Sequence, residues 1–87
     1  MYNLEINSDT DKKFKKLMKK DKETLQAINK KINEIIENPH QYKPLKNTLK
    51  GTRRVHIRKS FVLLFKINEK SKTIIIDDFK HHDNAYK

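Results

Sequence analysis

Arg54, His56 and Arg58 alternate with Val55 and Ile57. Side chains on an extended chain swap faces at every residue, so this spacing predicts a strand with Val55 and Ile57 turned to a core. The opposite face then carries a histidine between two arginines. A titratable ring flanked by fixed positive charge suits a phosphate, since guanidinium groups hold the anion while the imidazole can move a proton near neutral pH. A second candidate, His82, stands four residues before Tyr86 within residues 80–87. Unperturbed histidine titrates at about 6.5, so one ring can be neutral and the other protonated at the same pH. Taken alone, His56 reads more simply as a solvated strand residue and His82 as part of an ordinary tail. His81 points away from His82 if strand geometry persists, and His40 stands in a loop with no partner evident in the sequence.

The charge distribution reinforces the phosphate reading. Lysine and arginine number 21 against 11 acids, a formal net charge of +10. An excess of this size points to nucleic acid, an anionic membrane or an acidic protein partner. Between Asn38 and Asn68 there is no acidic residue, yet Lys43, Lys46, Lys50, Arg53, Arg54, Arg58, Lys59 and Lys66 all fall there. There is no cysteine, which removes disulfides, thiolate nucleophiles and sulfur-bound zinc. The longest apolar run, residues 61–65, is far too short to cross a bilayer. The expectation is a soluble cytoplasmic protein with no membrane partner. Only 34% of residues are hydrophobic, but they cluster periodically, which argues for one small folded domain over residues 1–87.

The elements that must position these residues follow from that periodicity. Tyr2, Leu4 and Ile6 alternate with polar residues as a first strand. Ser8, Asp9 and Thr10 offer N-cap chemistry for a helix carrying Phe14, Leu17 and Met18 on one stripe. Asp21 breaks it and caps a second helix with Leu25, Ile28, Ile32, Ile35 and Ile36 on one face, ending near Asn38 because Pro39 disfavours helical geometry before it. Residues 39–52 form a loop. A second strand runs to about Arg58, a third covers residues 61–67, apolar enough to be contacted on both faces, and a fourth covers residues 72–79. The order β-α-α-β-β-β predicts an α+β fold, an antiparallel sheet with two N-terminal helices packed on one face.

Several stretches, taken jointly, resemble a known family. Lys43, Pro44, Leu45 and Lys46 are followed by Lys50, Gly51, Thr52, Arg53, Arg54, Val55, His56 and Ile57. Residues 61–67 and then His82, Asp83, Asn84, Ala85 and Tyr86 complete the pattern. Their order and spacing resemble the RelE/ParE toxin superfamily, and within it most of all the YafQ-type mRNA interferases. Lys43 stands where that branch commonly has a histidine, Ser60 where it has an aspartate, and Phe61 where it has a tryptophan.

The resemblance implies the toxin of a type II toxin–antitoxin pair, a ribosome-dependent endoribonuclease partnered by a cognate, small and acidic antitoxin. A ribose 2′-hydroxyl would attack the adjacent phosphate, which needs a base, an acid at the 5′-leaving oxygen and positive charge on the transition state, with no metal or other cofactor. By resemblance His82 is the general acid and His56 the base or a transition-state contact. Lys43 could supply charge, while Tyr86 could stack on a base or pack the C-terminal turn. Lys46, Lys50, Arg53, Arg54, Arg58 and Phe61 complete the expected RNA-binding set, Phe61 leaning towards the core. The alternative is a non-enzymatic protein, either a DNA gyrase inhibitor like the ParE branch or a basic nucleic-acid-binding module.

Overall fold

One side chain divides the helical half of the chain. In the computed structural model, which describes residues 1–45 and 51–82, Asp21 ends helix α1 (Ser8–Lys20) and opens helix α2 (Lys22–Glu37). Its backbone N–H donates to the Leu17 carbonyl at 2.8 Å. Its carboxylate accepts from the Thr24 amide at 3.2 Å and the Thr24 hydroxyl at 2.6 Å, satisfying a donor that a helix start leaves unpaired. Helix α1 is capped one residue earlier than the Ser8–Asp9–Thr10 signal suggests. Asn7 Oδ1 accepts from the Asp9 amide at 2.9 Å. Thr10 is instead buried and donates its hydroxyl to the Asp77 carbonyl at 2.9 Å. Helix α2 stops at Asn38, and Pro39 opens a single 3₁₀ turn, Pro39–Gln41. Among the described residues no helix is long and apolar enough to cross a membrane.

Strands β1 (Asn3–Ile6), β2 (Arg53–Ile57), β3 (Phe61–Asn68) and β4 (Thr73–His81) form one sheet in the order β1-β4-β3-β2. The β2–β3 and β3–β4 pairs are antiparallel, as tight connections require. Strand β1 corrects the antiparallel expectation. It lies parallel to β4, with Asn3 opposite Thr73 and Ile6 opposite Ile76, so the sheet is mixed. The chain leaves β1 through two helices, and a connection of that length leaves the direction of its neighbour unconstrained. Alternation in Tyr2, Leu4 and Ile6 reports a strand but carries no information about direction.

The core lies between the helices and one face of the sheet. Phe14, Ile28, Ile32 and Ile35 pack against Val55, Ile57, Leu63, Phe65, Ile74, Ile76 and Phe79. Each such aliphatic side chain stabilises the fold by roughly 1.5–3 kcal/mol. Phe14 and Phe79 meet edge to face at 6.0 Å, joining α1 to β4. Strand β3 is buried on both faces, as its composition suggests. Val62 and Leu64 are 0% and 8% exposed, yet they lie outside that core, on the sheet face away from the helices. Register places Val62 between His56 and Lys80, and Leu64 between Arg54 and Asp78.

The far end of the β3–β4 hairpin is closed by polar contacts. Glu69 accepts from Tyr2 Oη at 2.9 Å and from Lys72 Nζ at 2.8 Å, and lies 2.6 Å from His40 Nε2. These partners tie the start of β1, the 3₁₀ turn and the hairpin to one carboxylate. The hydrogen bonds from Lys72, Tyr2 and His40 hold the Glu69 carboxyl down at about 2, against an ordinary 4.5.

Candidate functional site

His56 and His82 meet on the helix-free face. His56 stands on β2 opposite Val62. His82 follows β4 directly, and its N–H donates to the Ser60 carbonyl at 2.6 Å, extending the β3–β4 ladder past the Phe61–His81 pair. Both rings lean over β3 until their centroids are 5.5 Å apart, with planes inclined by 31°. Residues from strands two positions apart in the sheet are thus brought within reach of one small group. His81 turns to the other face, as strand alternation predicts, and its ring meets the edge of Phe61 at 5.6 Å. His56 is exposed and makes no hydrogen bond or ion pair among the described residues.

The cations around this pair are only partly those the sequence suggests. Arg54 precedes His56 by two residues, shares its face and is half-buried. Lys80 precedes His82 by two residues in the same way, and sequence reading passed over it because it heads the apparent tail. The available signal was the alternation itself, since Lys80 stands to His82 as Arg54 stands to His56. Lys80 Nζ is 3.3 Å from Asp78, which also receives Lys13 Nζ from α1 at 2.7 Å. Partial burial pushes the Asp78 carboxyl up, but hydrogen bonds from Lys13, the Phe79 amide and Lys80 outweigh it and leave the group below the usual carboxylate range. Lys66 is 3.5 Å from Asp77. The acid-free segment between Asn38 and Asn68 therefore gains acids in space, supplied by the neighbouring strand β4.

Arg58 corrects the expectation of three basic groups on one face. It lies beyond β2, in the turn, with φ +55, and its guanidinium crosses to the helix side. There Nη1 donates to Thr24 Oγ1 at 3.1 Å, with Asp21 at 3.9 Å and Glu23 at 3.7 Å from the guanidinium. Strand alternation fails because the strand ends at Ile57. Arg53 is also turned from the open face: it shares the parity of Val55 and Ile57, and Nη1 donates to the Tyr42 carbonyl, anchoring the loop before β2. Phe61 is a core-side residue, stacked on Phe79 at 5.0 Å. Lys43 is exposed beside Pro44, which bridges to Arg53, and no described contact joins it to His56. Lys46, Lys50 and Tyr86 lie outside the described residues.

The arrangement provides two rings able to exchange protons, with Arg54 and Lys80 two residues before them on the same helix-free face. A base and an acid within about 2.6–3.2 Å of a substrate's two oxygens can move protons on opposite sides of one phosphorus. Comparison with known proteins bears on whether it does so. Residues 4–86 match the family described as ParE toxin of type II toxin–antitoxin system, parDE. A protein of Methanocaldococcus jannaschii that carries the candidate name toxin RelE4 is 54% identical over 87 residues, spanning all of this chain and 93% of that one. Among solved structures, a YoeB/ParE toxin from Agrobacterium tumefaciens superposes with a TM-score of 0.82 at 14% identity, over 92% of this chain and 98% of the other. YafQ of Escherichia coli, solved in a complex with DinJ, gives a TM-score of 0.76 at 18% identity over the whole of both chains. The superfamily resemblance carried by residues 43–86 thus extends to the whole fold, with YafQ among the structures that share it.

Proposed function

Because the chain belongs to the ParE toxin family of type II toxin–antitoxin systems, we propose that it is an endoribonuclease that cuts mRNA on the ribosome and so inhibits translation. The observation that supports this reading is the approach of His56 and His82 to 5.5 Å. A non-enzymatic binder has no use for two titratable rings brought together from separate strands. In the proposed step His56 takes the proton of a ribose 2′-hydroxyl, the 2′-oxygen bonds to the adjacent phosphorus, and the bond from phosphorus to the 5′-oxygen breaks. His82 gives that leaving oxygen its proton, so the products are a 2′,3′-cyclic phosphate and a free 5′-hydroxyl. Arg54 and Lys80 hold the non-bridging oxygens as charge builds on them. Among the described residues the two rings lie on the helix-free face of the sheet. In this reading the ribosome holds the RNA in line between them.

The test is a primer-extension map of a defined transcript in a cytoplasmic translation extract with and without the protein. New 5′ ends that need translating ribosomes support the reading. Intact transcripts in an extract whose translation the protein halts would end it. The match to the ParE family favours a second reading, inhibition of DNA gyrase, and a supercoiling assay on the same preparation separates the two.

A cognate antitoxin completes the proposal. YafQ was solved as a complex with DinJ, and a net charge of +10 favours an acidic partner whose encounter is steered electrostatically. Co-expression of a small acidic protein from the neighbouring reading frame should relieve growth arrest. Failure of every adjacent frame to do so would count against a neutralising partner of that kind.

A further inference from the structure

Three features converge on the turn between β2 and β3, residues 58–60. Arg58 has φ +55, a left-handed conformation that a residue other than glycine keeps only where its surroundings fix it. Its guanidinium is fixed by Thr24 Oγ1 at 3.1 Å, Asp21 at 3.9 Å and Glu23 at 3.7 Å, all at the start of α2. Thr24 is wholly buried, and its hydroxyl is used in both directions, accepting from Arg58 and donating to the Asp21 carboxylate at 2.6 Å. Two residues on, the carbonyl of Ser60 receives the His82 N–H at 2.6 Å. The turn is thus gripped from the helix layer on one side and grips the histidine on the other.

We infer that Arg58 is a positioning residue that, by latching this turn to the start of α2, fixes the Ser60 carbonyl and through it the backbone of His82. The inference rests on the reading of His82 as the proton donor. Packing does not supply the latch. The Arg58 side chain is 47% exposed and borders an open groove of about 610 Å³, so its polar contacts are what hold it. A latch and a phosphate contact differ in their salt dependence, which separates the two readings.

Two variants test it. Arg58→Asn removes the guanidinium while tolerating the left-handed backbone. Thr24→Val removes the acceptor without changing the charge of the protein. In the free protein, hydrogen exchange at the His82 amide should quicken at least about tenfold in both, the loss expected when a local hydrogen bond opens more easily. With ribosome-bound mRNA, single-turnover cleavage should fall roughly 10- to 100-fold, the scale of a small misplacement of a reacting group, while RNA affinity and its salt dependence stay unchanged. Unaltered His82 exchange in folded Arg58→Asn overturns the latch. A salt slope shallower by about 0.7 in Arg58→Asn, with His82 exchange unaltered, overturns it in favour of a phosphate contact. A wild-type protein that leaves ribosome-bound mRNA uncut ends the enzyme reading, and the exchange data then judge the latch by themselves.

Discussion

The two ends of strand β3 carry polar clusters of opposite kinds. At its C-terminal end Glu69 takes hydrogen bonds from Tyr2 and Lys72 and has His40 at 2.6 Å, so the carboxylate is saturated. At its N-terminal end His56 and His82 lie ring beside ring at 5.5 Å, and His56 has no hydrogen bond or ion pair among the described residues. A saturated charged group has its interactions already made and serves as a tie. His56, by contrast, keeps its ring nitrogens for something that arrives later. The same residue type illustrates both states, since His40 is committed to a carboxylate while His56 is not.

The largest effect should come from closing the open end to proton transfer. His82→Gln keeps size and some hydrogen bonding but removes the titratable proton, and general acid catalysis is typically worth about 10²–10⁴-fold. Single-turnover cleavage of ribosome-bound mRNA should fall by that factor while ribosome binding stays nearly intact. Full activity in His82→Gln would refute the acid assignment, and equal losses of binding and cleavage would recast His82 as a scaffold residue like Glu69.

A smaller effect should follow from removing the cations on the same face. Arg54→Gln with Lys80→Gln deletes two proposed phosphate contacts, so log affinity against log salt should become shallower by about 1.4 on single-stranded RNA. Arg53→Gln should leave that slope alone, because its guanidinium is spent on the Tyr42 carbonyl. A shallower slope in Arg53→Gln would erase the distinction drawn between the two faces of β2.

The mildest effect belongs to the saturated end. Glu69 has its folded value lowered from 4.5 to about 2, so its contribution to stability is present above about pH 4.5 and is lost as pH falls towards 2. Urea midpoints of the wild type should drop across that window, and Glu69→Gln should flatten the drop without changing cleavage at neutral pH. Loss of cleavage in a folded Glu69→Gln protein would show that the two ends are coupled, contrary to the comparison.

Much of this was legible in residue types and spacing. Phe14, Ile28, Ile32 and Ile35 mark the helix faces, Asp21 marks the junction between helices, and Pro39 marks their end. His56 and His82 could be paired because the family resemblance named both and strand alternation excluded His81. What escaped was whatever depends on which strands are neighbours. The partner of His40 is Glu69, 29 residues away across the sheet end, and nothing local announces it. Asp77 and Asp78 reach the basic face because β4 lies beside β3, a fact of topology rather than of local charge. Arg58 was misplaced because alternation was carried one residue beyond the strand, where a positive φ sends the side chain to the opposite layer.

The parallel pairing of β1 with β4 sets an order of events during synthesis. Residues 3–6 leave the ribosome's exit tunnel before the rest of the sheet, yet among the described residues their neighbours in it are residues 73–76. Contacts so remote in sequence close slowly, because the intervening chain must be ordered before they form. A nascent chain halted before Thr73 therefore exposes an unsatisfied edge on β3 and an unpaired β1, both open to adhesion or proteolysis. The strand that ends this exposure leads directly into His82, so the sheet is closed and the second histidine delivered by the same stretch of chain.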